Sequence, residues 1–218
     1  MSLLEFARGP ALQWALIIFI AGTLWRLLGV LILSRPADLS APRDVFANFK
    51  GYRTVFSRAW PHTEFMTATR YQTVMAYIFH IATLGVVIGI VPHIEFIHSI
   101  TGLSWPGLPN TIGVGLGAIA LLSFIALILR RLSNRTVYCS NWSDYATWFV
   151  VALPLLTGLM AFTHFGLGMR YETLLAVHIL SAELLLIWFP FSKLMHAYWF
   201  VFSRAQSGVA YASKGVRI

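Results

Sequence analysis

Four histidines set in apolar surroundings carry the types and spacing best suited to chemistry: His80, His93, His178 and His196. Ionisable groups are costly in lipid, so an intramembrane imidazole is a functional candidate by default. His178 and His196 lie 18 residues apart in residues 173–202, TLLAVHILSAELLLIWFPFSKLMHAYWFVF. On one continuous helix that spacing makes five turns, so both rings leave the same face, separated by roughly 27 Å of rise. They then sit near opposite sides of a hydrocarbon core about 30 Å thick. Pro190 lies between them and loosens the registry. Two imidazoles so placed suit one ligand for each of two haems. The competing reading is two hydrogen-bonded polar residues between helices.

The partners are expected on the segment YQTVMAYIFHIATLGVVIGIVPHIEF, residues 71–96. His80 and His93 are separated there by roughly 20 Å of rise and about 140° in azimuth on an ideal helix. Pro92 offers a way to rotate the last turn and bring the second ring round. His98 shares the face of His80 by spacing but falls beyond the span. The two segments run antiparallel, so His80 pairs with His196 near one membrane face and His93 with His178 near the other. Each pair can hold one b-type haem between two neutral imidazoles. The second nitrogen of each ring then needs a hydrogen-bond acceptor, often a backbone carbonyl. With both axial positions filled by protein, such haems move single electrons and do not bind oxygen. Two of them stacked across a membrane form an electron path between a lipid carrier and a protein partner.

Three further residues belong to this reading. Glu183, within residues 173–202, and Glu95, beside His93, are candidate proton acceptors for a quinol, because a desolvated carboxyl exchanges protons readily. The alternative for Glu183 is a pairing with a polar group on a neighbouring helix. Arg26 either snorkels to the interface or meets a haem propionate. His164, at the end of an apolar run, reads as an interfacial residue.

The elements that position these residues follow from composition. The chain has 218 residues, 58% hydrophobic and 11% charged, which is the composition of an integral membrane protein. Apolar runs predict an all-α bundle of five spans, at about 11–33, 71–96, 111–129, 145–164 and 173–202. The first is read as an uncleaved span, not a signal peptide. Residues 34–70 carry Arg35, Arg43, Lys50, Arg53, Arg58 and Arg70 and predict short amphipathic helices at the membrane surface, a dock for a soluble partner. Residues 97–110 read as an interfacial loop, and Gly113, Gly115 and Gly117 predict close helix contact in the third span. The formal charge of +8 is not read as nucleic-acid binding, because the basic residues fall between spans. Six lie in residues 34–70, three in 130–144 (Arg130, Arg131, Arg135) and four from Lys193 onward (with Arg204, Lys214 and Arg217), against Arg8 and Arg170 on the other side. Positive-inside topology puts the N-terminus outside and the C-terminus in the cytoplasm. The single cysteine, Cys139, excludes an internal disulfide and any cysteine-held iron–sulfur cluster within this chain.

With the histidines placed, the chain resembles the cytochrome b (gamma) subunit of the respiratory nitrate reductase family. It is nearer the membrane cytochrome b of sulfite-reductase-linked and heterodisulfide-reductase-like complexes. The resemblance covers nearly all of residues 1–218 as one di-haem domain. Its most specific part is His178 with FPFSKLMH, residues 189–196. Phe79-His80 with residues 81–89 and Trp25-Arg26 also have counterparts. The nitrate reductase subunit carries its second outer ligand ten residues after the position of His80, where this chain has Ile90. A histidine 13 residues on, followed by a loop like GLSWPGLP (residues 102–109), matches the sulfite-reductase-linked branch. The resemblance implies two b-type haems, inner (His80 and His196) and outer (His178 and His93). It implies electron transfer between the quinone pool and an iron–sulfur subunit on the cytoplasmic face, alongside a separate catalytic subunit. The location implied is a bacterial or archaeal cytoplasmic membrane. The chain would be an electron-transfer subunit, not catalytic alone. A haem-free membrane anchor and a proton-relaying transporter are the alternatives.

Overall fold

The computed structural model describes residues 1–33 and 40–216, except the side chain of Thr136. Arg35 and Arg217, counted above for topology, lie outside the described residues. Nine α-helices and no strand occur among the described residues: α1 (Leu3–Phe6), α2 (Leu12–Ile32), α3 (Ala47–Ser57), α4 (Thr63–Gly89), α5 (Val91–Thr101), α6 (Asn110–Ser133), α7 (Trp142–Phe162), α8 (Tyr171–Trp188) and α9 (His196–Ser213). Five segments are helical, long and apolar enough to cross a membrane: Leu3–Ile32, Thr63–Gly89, Asn110–Ser133, Trp142–Phe162 and Tyr171–Phe191. The chain is built as a multi-pass membrane protein.

Two expected spans are broken. The segment 71–96 is not one helix: α4 begins at Thr63, ends at Gly89, and gives way to α5 through an extended Ile90. Pro92 causes this, since it cannot donate to the Ile88 carbonyl and its ring crowds the preceding turn. Residues up to Thr101 are therefore helical, and the loop expected from residue 97 starts at Gly102, whose positive φ closes α5 with a 2.8 Å bond to the His98 carbonyl. The stretch 173–202 is also divided. After α8, two 3-10 turns (Phe189–Phe191 and Lys193–Met195) precede α9, which starts at His196. The five-turn register between His178 and His196 thus has no continuous helix to carry it. The fourth span runs from Trp142 to Phe162, a shift of a few residues from expectation.

The chain forms two compact units, residues 1–18 with 71–188, and residues 19–70 with 189–218. In the first, α8 packs along α7, α7 along α6, and the N-terminal turns up to Ala11 against α8. Gly113 is buried where a Cβ would meet Ile90 at 2.8 Å and Phe162 at 3.1 Å, and Gly117 faces Leu159 at 3.3 Å. These two glycines make the expected close contact; Gly115 faces open space and does not. Trp188 ties α8 to α7 by donating its indole N–H to Thr147 at 2.9 Å. An Asn141–Asp144 capping box starts α7, and Arg131 lies 3.8 Å from Asp144.

In the second unit α3 lies against α9 with backbones touching. A Cβ on Gly208 would come 2.8 Å from Gly51 Cα, and one on Gly51 would come 2.8 Å from the Ala205 carbonyl oxygen. Thr54 donates its hydroxyl to the Arg204 carbonyl at 2.9 Å, and Arg204 Nη1 returns a bond to the Val55 carbonyl at 3.2 Å. Among the described residues, 34–70 contain one complete helix, α3, and the first eight residues of α4. Pro190 is buried 2.8 Å from where a Cβ on Gly22 would sit, and Phe189 packs edge-on to Phe19 and Tyr198.

Candidate functional site

The break at Ile90 sets the first histidine. Pro92 leaves the Ile88 carbonyl without its helical donor, and an unsatisfied buried carbonyl costs about 1–3 kcal/mol. The loop 102–109 supplies the missing donors. Trp105 gives its indole N–H to Ile88 at 2.7 Å, and the Leu108 amide bonds the Gly89 carbonyl at 2.7 Å. Gly107 permits that approach, since a Cβ there would lie 2.6 Å from Val91 Cγ2. His93, in the first turn of α5, is half-buried and folds back so that Nδ1 lies 3.1 Å from the Val86 carbonyl.

The second histidine is set by α7. His178 lies half-buried on α8 with Nδ1 3.3 Å from Thr157 Oγ1, and the Pro154 carbonyl also bonds the ring. Thr157 is buried and meets Ser181 Oγ at 3.0 Å. Gly158 opens the space the imidazole occupies: a Cβ there would sit 2.8 Å from His178 Cε1 and 3.2 Å from Nδ1.

His93 and His178 meet. Their ring centroids are 6.1 Å apart and their planes 24° from parallel. A coordinating imidazole nitrogen lies about 2 Å from its metal and about 1 Å from its own ring centroid, so two rings facing one iron have centroids about 6 Å apart. Each ring has a carbonyl as hydrogen-bond partner. The Val86 carbonyl accepts only, so His93 Nδ1 carries an N–H; Thr157 Oγ1 gives its own proton to the Leu153 carbonyl at 2.7 Å, so it accepts from His178 Nδ1. With Nδ1 protonated, Nε2 carries the ligand lone pair. The centroid separation of the two rings equals that of two imidazoles sharing one iron, and the donor set, two imidazoles with hydrogen-bonded Nδ1 atoms, is one that suits iron.

The remaining candidates are placed as follows. His80 is exposed on α4 in the first unit, with Nδ1 2.6 Å from the Ala76 carbonyl. Thr83, three residues on, has a buried hydroxyl with no hydrogen-bond partner among the described residues. His196 is exposed at the start of α9 in the second unit, with Nδ1 2.9 Å from the Lys193 carbonyl. Both rings thus have the same Nδ1-to-carbonyl arrangement. Glu183 is 4% exposed, and its Oε1 has no partner among the described residues. Glu95 is exposed on α5, with no hydrogen bond or ion pair to its carboxylate among the described residues. Arg26 is exposed on α2. His98 is exposed, and His164 packs on the Tyr171 ring at 4.8 Å.

Gly158, Thr157, Trp105 and the carbonyls of Val86 and Pro154 were not anticipated from the sequence. Pro92 was a usable signal for Trp105, because a proline inside a span demands a substitute donor. Gly158 had no such signal, since its role depends on which face of α7 meets α8.

A protein of Nitratidesulfovibrio vulgaris is 30% identical over 223 aligned residues, covering 96% of this chain and 93% of the relative. The chain belongs to the family of that protein. The relative's name states no activity, so family membership extends the architecture over nearly the full length and leaves the chemistry to the residues. No protein-family model matches the chain. No solved structure matches it.

Proposed function

We propose that the chain is the membrane di-haem cytochrome b subunit of a respiratory redox complex. It passes electrons between the quinone pool and an iron–sulfur subunit on the cytoplasmic face, as the resemblance to the nitrate reductase and sulfite-reductase-linked cytochromes implies. The observation that carries the reading is the His93–His178 pair, two near-parallel imidazoles with centroids 6.1 Å apart, each with a hydrogen-bond partner. His93 and His178 would hold the outer haem; for the inner haem the resemblance alone implies His80 and His196. Haem held there would supply one-electron chemistry.

The chain's own groups do the rest. Thr157 and the Pro154 carbonyl orient His178, and Val86 orients His93. The capped break at Ile90 holds the His93 turn in place. Glu183, buried and unpartnered at Oε1 among the described residues, would accept a proton from quinol. Arg26 is exposed on the first span, and the resemblance makes it a candidate partner for a haem propionate. The basic residues between spans put the N-terminus outside and the C-terminus in the cytoplasm of a bacterial or archaeal membrane.

The test is reduction by quinol. The chain, purified from cells with ample haem, should show b-type absorbance that a menaquinol or ubiquinol analogue reduces. A colourless chain, or haem that no quinol reduces, would remove the reading and leave a tether for a redox partner.

A further inference from the structure

The groove between α3 and α9 in the second unit has a chemistry that electron transfer does not use. It encloses about 210 Å³ and is lined by Thr54, Arg58, Ser203, Arg204, Ser207 and Tyr211. Arg58 and Arg204 are both half-buried. Among the described residues neither has an acidic side chain within ion-pairing distance. Arg204 has a structural role, since Nη1 donates to the Val55 carbonyl in the last turn of α3, and its guanidinium lies over the Phe200 ring. That role uses one of five N–H donors. Arg58 has none, because no hydrogen bond or ion pair engages its guanidinium among the described residues. Two partly desolvated arginines beside the hydroxyls of Ser203, Ser207 and Tyr211 form a donor-rich pocket with an uncompensated double positive charge.

We propose that this groove binds a phosphate group, carried on an anionic phospholipid headgroup or free in solution. Guanidinium forks match phosphate oxygens in planar, two-point contacts. Hydroxyls add further donors. The volume suits a headgroup-sized anion and is too small for a drug-sized ligand. The exposed rings of Trp60, in the turn after α3, and Tyr211, on α9, are of the amphipathic kind found at headgroup depth. Basic pockets beside membrane spans recognise anionic lipids in this way. The groove needs only a membrane or a phosphate beside it, so it stands apart from the haem reading.

The test uses the full chain in discs of neutral phosphatidylcholine, titrated with phosphatidylglycerol and followed by native mass spectrometry. The chain should retain phosphatidylglycerol in preference to phosphatidylcholine. Arg58→Gln should weaken retention about fivefold, the effect of one basic residue near an anionic surface. Ser207→Ala should weaken it less, with no change to the helix packing. Retention that survives excess inorganic phosphate assigns the groove to a lipid headgroup; competition by inorganic phosphate, weakened again by Arg58→Gln, assigns it to free phosphate. Equal retention of both lipids with no phosphate binding would overturn the proposal. So would an unchanged preference in Arg58→Gln, or an Arg58-dependent acidic protein partner with no lipid or phosphate preference.

Discussion

Gly158→Ala puts the His178 environment under the sharpest test. A Cβ at this position would lie 2.8 Å from His178 Cε1, 3.2 Å from Nδ1 and 3.5 Å from Nε2. Carbon atoms rest at about 3.5–4.0 Å, so the ring must withdraw by at least about 0.7 Å. Thr157 and the Pro154 carbonyl resist that movement. Overpacking of this kind costs about 1–3 kcal/mol. Metal–ligand distances hold to about 0.2 Å, so a ring displaced this far no longer places its lone pair correctly. The assay is potentiometric titration of the haem absorbance in the purified chain. One of two redox components should disappear or shift, and the other should stay. Gly115→Ala, where nothing lies within 4 Å, is the control and should leave both alone. A Gly158→Ala chain with full haem content and two unchanged potentials would refute the placement of His178.

Four further outcomes follow from the same geometry. Trp105→Phe removes the donor to the Ile88 carbonyl, at a cost of about 1 kcal/mol, and should raise hydrogen exchange across residues 86–94 while shifting only the component held by His93. Glu183→Gln should slow quinol oxidation with both haem spectra intact and with a thermal midpoint no lower than before, since Oε1 has no partner to lose among the described residues; unchanged turnover would take Glu183 out of the mechanism. Gly51→Ala drives a Cβ into the Ala205 carbonyl and should loosen α3 from α9, seen as faster proteolysis of residues 47–57 with haem content retained. Lys50, followed by the Phe46 amide, holds the Asp44 carboxyl below its usual 3.8. Its contribution to the start of α3 is therefore present above that value and lost as pH falls through the lowered one, so acid should speed exchange in α3, and Asp44→Asn should abolish that acid step.

Much of this architecture is written in the sequence at the level of hydropathy. Runs of apolar residues mark all five spans, and the glycines at 113 and 117 mark a helix contact. Helical continuity is what the pattern concealed. Residues 173–202 are predominantly apolar on both sides of Lys193, so mean hydropathy does not mark the division at Pro190 and Ser192. The five-turn register of His178 and His196 depended on that continuity. At residues 71–96 the reverse happened. The awkward angle between His80 and His93 was the trace of a real break, placed two residues before Pro92 and stabilised by Trp105 and Leu108 from the following loop. The Trp105 bond to Ile88 spans 17 residues and has no local signature. That His93 and His178 are neighbours was legible from the antiparallel order of their segments; the carbonyls and the glycine around them were not.

The most direct measurement is haem per polypeptide, by extraction as the pyridine adduct, for the parent chain, His93→Ala and His178→Ala. Two b haems are predicted in the parent and one in each variant, with the same redox component lost from both. Loss of different components, or haem content that neither substitution changes, would contradict a haem shared by His93 and His178.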